Sequence, residues 1–442
     1  MRNPIFIVLI IVSGLFCINT VSAETPNPSP SITYPVSFPY QDAPVQPTDP
    51  KQETGEAEAK PDKEDPKPRI IWRRGDDYRM NALASTEALT FSRMPMMWGD
   101  FFDGTPYPLT ITNPEQYPPE WGVGSSGGGG GRGPKIPRAG GLATRRVKLS
   151  ENSSPLPTNR WILNHNYFND VDSIGDINRY TFGFEKTFDE GLKSIEARFS
   201  FANTLSSTQF FDGPANLVTK DFADEPGNLV LTYKSVIRGL KDGIVTAGLG
   251  IALPTANDQL LFSANPTNPA LLLKIHNDAV HLMPFIAFLR QPSEKMIVQG
   301  FAQADFSSIG NPVLVRTTPA PSPLTDAAKI RDVPLLFLDL GLAYKWIENR
   351  EGLVNAVTPL LELHYSMGMG RQDRLRFPHG TPLDNTFTFG EPNRISVLNL
   401  TAGASLEIGD SIVVRPAVSV PLSNGAGASY DYEFGVHVNI LQ

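Results

Sequence analysis

Cysteine is almost absent from the sequence, with a single residue, Cys17, among 442. It directly follows the apolar run Ile5 to Phe16, and Val21-Ser22-Ala23 then supplies the small or apolar residues that suit cleavage after position 23. This pattern predicts a cleaved secretory signal over residues 1–23, because the run is shorter than the roughly 20 residues of a membrane-spanning helix. The exported chain would then hold no cysteine, which excludes disulfides and structural zinc on thiolates.

The chain also lacks an excess of basic over acidic residues. The chain has 38 Lys and Arg against 46 Asp and Glu, which gives a formal net charge of −8. General nucleic-acid binding depends on many basic side chains that meet phosphates. Nucleic acid is therefore not an expected partner of this protein.

Proline is unevenly distributed, and its distribution predicts where the folded part begins. Residues 1–157 hold 22 of the 40 prolines. Residues 24–157 are predicted to form a Pro- and Gly-rich, mostly disordered periplasmic extension, since residues 24–68 hold almost no large apolar side chains. Aromatic residues return over residues 82–121, but about forty residues are too few for an independent core. A segment over about 82–148 is therefore expected to dock onto a larger body or to plug it.

Five consecutive glycines, Gly127 to Gly131, precede a segment with six bases and no acid in 17 residues. Because no Gly-Lys-Ser/Thr sequence follows, we interpret the glycines as a hinge and not as a phosphate-binding loop. The basic segment is either a solvated linker or an arm that enters or caps an acidic cavity. The plug candidates are Arg132, Lys135, Arg138, Arg145, Arg146 and Lys148.

Residues 158–442 alternate apolar and polar side chains with the period of two that predicts β-strands. Between Tyr430 and Ile440, for example, every even position is aromatic or β-branched. No amphipathic helical stretch of comparable strength competes, so the predicted fold class is all-β. Twelve such segments lie near 160–168, 178–188, 194–201, 229–238, 244–253, 280–290, 296–307, 333–346, 355–366, 394–407, 412–420 and 430–441.

The lengths of the connections separate a membrane barrel from a soluble sandwich. Tight connections such as 189–191 and 239–243 alternate with much longer ones such as 202–228 and 254–279. With an even number of strands, both termini fall on the side of the tight turns, as in outer-membrane barrels with short periplasmic turns and long outer loops. Residues 158–442 are therefore predicted to form a twelve-stranded antiparallel transmembrane β-barrel.

Two features count against the barrel. Pro284, Pro334, Pro359 and Pro416 lie in proposed strands, where each removes a ladder donor, and they suit the fold only at strand starts or rims. The chain also ends in Gln442 and not in the terminal aromatic residue of many assembly signals. Insertion by the barrel-assembly machinery would then depend on a variant signal.

Two short motifs resemble a known family. Gly248 to Thr255, with the sequence Gly-Leu-Gly-Ile-Ala-Leu-Pro-Thr, resembles the Leu-Pro-Thr-Gly type segment of outer-membrane transporters grouped as the MetA-pathway of phenol degradation family. Ala256 stands where that motif usually has Gly. Asn159 to Asp170 also looks like the opening strand of such barrels. The resemblance covers the barrel region and implies transport of small molecules, hydrophobic ones among them.

The alternation assigns a set of charged side chains to the barrel lumen. Two interpretations are open: structural pairs across neighbouring strands, or a cation-favouring pore, since rings of acids attract cations. The lumen-lining candidates are Arg179, Glu185, Glu196, Arg198, Lys234, Arg238, Asp305, Asp339, Lys345, Glu362, Glu407, Arg415 and Glu433.

His364 and Ser366 are the catalytic candidates. They lie two apart on one strand and so share a face, with the spacing of the His-x-Ser pairs of outer-membrane lipid hydrolases. Met367 follows where those enzymes carry Asn, and the third member would be Glu391 or Asn399. The other histidines form no metal cluster, and neither a metal nor a cofactor is expected.

These patterns predict an exported, non-enzymatic barrel of the outer membrane that acts as a passive channel or transporter for small solutes. The expected partners are outer-membrane lipid, the barrel-assembly machinery and a small-molecule solute. The N-terminal extension would lie in the periplasm or within the barrel lumen. The alternatives are a lipid hydrolase that uses His364 and Ser366, a structural or adhesive surface barrel without transport, and a soluble β-sandwich.

Overall fold

The computed structural model of the chain consists of β-strands and their connections. It describes residues 96–100, 107–111, 135–136, 147–171, 175–203, 207–212, 216–218, 225–262, 270–316, 324–349, 352–370, 373, 375–378, 386–389, 396–422 and 430–442. Within these ranges, no helix is long and apolar enough to cross a membrane. The predicted signal sequence and the Pro-rich stretch up to residue 95 lie outside the described residues.

Twelve strands form one closed antiparallel barrel, which confirms the predicted fold class and strand number. Every strand pairs with the next one in the chain, and the first pairs with the last, where Arg160 lies opposite Leu441. The strands are β1 (Arg160–Val171), β2 (Gly175–Phe188), β3 (Lys193–Asn203), β4 (Leu229–Leu240), β5 (Gly243–Leu253), β6 (His281–Ser293), β7 (Met296–Ser307), β8 (Leu335–Tyr344), β9 (Val354–Gly368), β10 (Ser396–Ile408), β11 (Ile412–Pro421) and β12 (Tyr432–Leu441).

The long connections carry short strands of their own, which the sequence pattern does not predict. Three of these connections build a six-stranded sheet from Thr208–Asp212, Asn216–Val218, Gln259–Phe262, Leu271–Ile275, Asn311–Val315 and Thr325–Ile330. A four-stranded sheet joins Lys135–Ile136 and Tyr107–Ile111 to Thr386–Phe389 and Leu375–Pro378 of the β9–β10 connection. Two-residue strands, Glu225–Pro226 and Ile347–Glu348, pair with β3 and β9.

Burial alternates along the strands and distinguishes two faces of the barrel. Large apolar side chains point outward and are exposed, with Trp161 at 51% and Leu340 at 48%. Charged and amide side chains point inward and are buried, as Arg179 and Asn166 are. A water-soluble sandwich has the opposite arrangement, with its apolar faces packed inside. The distribution therefore contradicts the soluble alternative.

The barrel interpretation of the sequence requires the four prolines to lie at strand starts or rims. The structure places some of them inside strands. Pro334 does precede β8 directly, and Pro359 lies just beyond the last paired residue of the β8–β9 ladder. Around Pro284, however, the β6 ladder to β7 is interrupted, whereas the ladder to β5 continues. Pro416 likewise lies in a gap of the β11 ladder to β10, whereas its ladder to β12 is intact. Because proline lacks one N–H, it interrupts the pairing on one side only.

Candidate functional site

Two segments that precede β1 lie inside the barrel, and we call residues 96–100 and 147–157 the lumen segments. They run side by side, since the amide of Met97 donates to the carbonyl of Ser153 at 2.7 Å and the amide of Asn152 donates to the carbonyl of Trp98 at 3.0 Å. Within the part of the chain that the structure describes, hydrogen bonds or ion pairs join them to eleven of the twelve strands. The lumen is thus occupied by the protein's own chain.

Five basic side chains of the barrel wall donate to the lumen segments. All five are fully buried, where a cation without an acceptor or counter-ion costs several kcal/mol. Carbonyl oxygens of the lumen segments therefore accept the hydrogen bonds that water would accept if these side chains were exposed. The contacts are Arg179 to the Glu151 carboxylate, Arg198 to the carbonyl of Glu151, Arg160 to the carbonyl of Asn152 at 2.7 Å, Lys234 to the carbonyl of Ser154 at 3.0 Å, and Arg415 to the carbonyls of Met96 at 2.7 Å and Met97 at 3.0 Å.

Acids on other strands bind donors of the lumen segments. The two carboxylate oxygens of Glu362 accept from the backbone amides of residues 98 and 99 at 2.7 and 2.8 Å. Lys148 forms a buried ion pair with Asp100, and its ammonium lies 3.6 Å from Asp339. Burial alone would lower the pKa of Lys148, but the two neighbouring carboxylates raise it, so the ammonium stays charged. The segments are therefore bound at both their donors and their acceptors.

Glycines on the inner face make room for the apolar side chains of the lumen segments. Trp98 stacks on the ring of His437, with ring centroids 4.7 Å apart and planes inclined by 6°. A Cβ at Gly435 would lie 2.7 Å from the Trp98 ring, so this position requires glycine. A Cβ at Gly250 would lie 3.0 Å from the nearest side-chain atom of Leu149. Shape as well as charge therefore matches the segments to the wall.

Most of the predicted lumen residues lie on the inner face. Two of the acids among them are paired with bases: Glu185 lies 2.8 Å from Arg160 and 3.0 Å from Lys234, and Glu196 lies 2.9 Å from Arg160 and 2.7 Å from Arg198. These two acids therefore do not form a free ring that attracts cations. The buried, inward-facing candidates are Arg179, Glu185, Glu196, Arg198, Lys234, Asp305, Asp339, Glu362, Glu407, Arg415 and Glu433.

Two predicted lumen residues lie elsewhere. Arg238 is exposed on the outer face, opposite Val245, because a β-bulge next to Val245 in the β4–β5 pairing shifts the alternation. Lys345 lies just after β8 in a tight connection, where it forms an ion pair with Glu348 at 2.9 Å. Assignment of inward and outward side chains from a period of two therefore fails at a bulge and at a strand end.

Of the predicted basic arm, Lys148 lies in the lumen among acids. Lys135 lies in the short strand Lys135–Ile136 that pairs with Tyr107–Ile111. The other four plug candidates, Arg132, Arg138, Arg145 and Arg146, lie outside the described residues.

The catalytic candidates His364 and Ser366 are buried on the inner face. Both ring nitrogens of His364 face carboxylates, with Nδ1 2.9 Å from Asp339 and Nε2 3.1 Å from Glu362. Both nitrogens are thus placed against carboxylates, and membrane lipid would contact the opposite face of β9. This arrangement counts against the lipid-hydrolase interpretation. Asn399 lies opposite His364 on β10, and Glu391 lies outside the described residues.

Asp100, Asp339 and His364 bring three possible ligand atoms within 4.8 Å of one another. The ammonium of Lys148 already lies among them as the counter-ion of both carboxylates. The amide of Asn399 also donates to Asp100 at 2.6 Å. These residues fit an ion-pair network, since a metal ion would be repelled by the lysine.

Three residues of the site were not candidates in the sequence. Arg160 shares the parity of the buried Asn164 and Asn166, so the alternation of β1 could have placed it in the lumen. Asp100 and Glu151 lie in the lumen segments, which form no regular strand. Without periodicity, no sequence signal indicates where such residues point.

Comparisons with known proteins give distant structural similarities. No family model matches the chain, and no curated protein matches it. An outer-membrane channel from Pseudomonas putida F1 is 12% identical, with a TM-score of 0.41 over 66% of this chain and 97% of that one. The β domain of the Bordetella autotransporter BrkA is 10% identical, with a TM-score of 0.40 over 65% and 100% of the two chains. The Ralstonia pickettii toluene transporter TbuX is 12% identical, with a TM-score of 0.35 over 70% and 98%. Similarities this low carry no information on function.

Proposed function

We propose that the protein is an outer-membrane channel or transporter for small solutes, plugged by its own lumen segments. The observation that carries this proposal is the buried, charged lumen, in which five basic side chains of the wall donate to a chain segment that is not part of the barrel wall. Hydrogen bonds and ion pairs of this kind can exchange for water when the segment moves. A barrel whose lumen residues satisfied one another would have no such option.

The outer face supports a location in the membrane. Exposed apolar side chains follow one another around the barrel, among them Phe182, Ile195, Ile286, Leu338 and Leu361. Soluble monomers rarely expose contiguous apolar patches larger than a few hundred Å². Lipid covers such a band, and the closed barrel leaves no strand edge unpaired within it.

An engineered tether tests the channel directly. Leu149→Cys combined with Gly250→Cys would join a lumen segment to β5, since a Cβ at position 250 would lie 3.0 Å from the side chain of Leu149. The chain has no cysteine besides Cys17, so no other disulfide competes once the predicted signal is removed. We expect discrete conductance steps of the reduced protein in planar bilayers, and their loss on oxidation. The two single-cysteine variants are the matched controls and should not respond to oxidation.

A structural or adhesive barrel is the remaining alternative. It predicts no conductance step for wild-type, reduced or oxidised protein at any applied voltage, and that result would overturn the transport proposal. Recovery of the protein in the aqueous phase after detergent phase separation would overturn the membrane location.

A further inference from the structure

Arg415 is a fully buried guanidinium of which only one nitrogen has acceptors. Its Nη1 donates to the carbonyls of Met96 and Met97. Among the residues that the structure describes, none accepts a hydrogen bond from its Nε or Nη2. A buried cation without an anionic partner is strongly destabilising, so this half of the guanidinium favours an anion.

The wall does not supply that anion. Glu362 faces the same lumen, but its two oxygens accept from the backbone amides of residues 98 and 99, and one of them also lies 3.1 Å from His364. Glu433 accepts from Asn166 at 2.7 Å. Neither carboxylate forms an ion pair with Arg415 within the described part of the chain.

Two further N–H groups without acceptors lie close to Arg415. The side-chain nitrogen of Asn166 donates to Glu433, and it lies 3.2 Å from Nε2 of His437. An amide nitrogen can only donate, so Nε2 accepts and the proton of the neutral ring lies on Nδ1. This Nδ1 and the indole Nε1 of Trp98 are both buried, and no described residue accepts from either.

The chain brings these donors to one part of the lumen. Arg415 and His437 are direct cross-strand partners in the β11–β12 register. Trp98 stacks on His437, and the carbonyls bound by Arg415 belong to the two residues that precede Trp98. The residues that carry these four donor nitrogens are therefore direct neighbours in the lumen, and two of them supply aromatic rings. Donors without a neighbouring acceptor are the typical environment of an anion.

We propose that Arg415, Trp98 and His437 form a binding site for the carboxylate of a small organic acid. The Nε and Nη2 edge of a guanidinium presents two parallel N–H groups, which match the two oxygens of a carboxylate. The stacked rings supply an apolar surface for the organic part of the molecule. The site names a solute class for the proposed channel and depends on that function for access, because it faces the lumen.

Calorimetric titration of the purified full chain in detergent with benzoate tests the site. Benzamide is the matched probe, since it has the same shape without the charge. We expect benzoate to bind wild-type protein at least tenfold more tightly than benzamide. Arg415→Met should weaken benzoate binding at least tenfold, and so should Arg415→Lys, which keeps the charge but loses the paired N–H groups. Arg238→Met, on the outer face, should bind as wild type does.

Equal affinity for benzoate and benzamide, or unchanged binding by both folded Arg415 variants, would overturn the proposal. Displacement of benzoate by an equal concentration of chloride would show a site for inorganic anions and would overturn the carboxylate class. The measurement does not depend on conductance. Benzoate binding by a protein that never conducts would therefore overturn the channel proposal and support the carboxylate site. Conductance without benzoate binding would support the channel proposal and overturn the carboxylate site.

Discussion

Replacement of Glu362 by Gln should release one lumen segment from the barrel wall. The carboxylate is buried and accepts two backbone hydrogen bonds, at 2.7 and 2.8 Å, from residues 98 and 99. A hydrogen bond to a charged group contributes about 1.5–3 kcal/mol. The glutamine oxygen can retain one of the two bonds in a weaker neutral form, whereas the glutamine nitrogen would face an N–H donor. A loss of about 3 kcal/mol in the binding of the segment is expected, which corresponds to about a 100-fold rise in the ratio of displaced to bound segment.

Single-channel recording in planar bilayers measures this ratio as open probability. Glu362→Gln should raise it by about two orders of magnitude at a fixed voltage. Glu348→Gln is the matched control, because Glu348 lies in a tight connection, where it forms an ion pair with Lys345. An open probability equal to that of wild type, in a variant with unchanged circular dichroism, would refute the role of Glu362 in binding the segment.

Two more substitutions test the fit between the lumen segments and the wall. Lys148→Met should remove the ammonium that lies between Asp100 and Asp339, a loss of about 3–5 kcal/mol. Limited trypsin digestion should then cleave the region before β1 faster. The outward-facing Lys186→Met should digest as wild type does. Gly435→Ala should force Trp98 off His437 at a cost of about 1–3 kcal/mol, since its Cβ would lie 2.7 Å from the ring. The thermal midpoint should therefore fall. Gly370→Ala should leave the midpoint unchanged, because the nearest atom to its Cβ would be 4.0 Å away, at Pro334.

The barrel itself was predictable from the sequence. Alternation in stretches such as Tyr430 to Ile440 identifies strands because one face meets an apolar medium and the other does not. The alternation of short and long connections then identifies the architecture. Arg238 shows the limit of this reasoning, because a single bulge reverses the face of every residue beyond it.

The occupied lumen was only partly predictable. The run of bases that ends at Lys148 allowed two interpretations, a solvated linker or an arm that enters an acidic cavity, and Lys148 itself lies between Asp100 and Asp339. Trp98 lies in an irregular segment, and its contacts with Glu362 and His437 join positions more than 260 residues apart. No local pattern encodes such contacts, since they depend on closure of the whole barrel.

The position of the lumen segments in the chain has a consequence for assembly. Both segments precede β1, so they leave the ribosome before any strand of the barrel does. Arg160, Arg179 and Arg198 of the first three strands bind them directly. These charges thus have acceptors before β12 arrives to close the sheet, and the barrel can be built around a polar core that is already in place. A folding intermediate with unpaired arginines at membrane depth is thereby avoided.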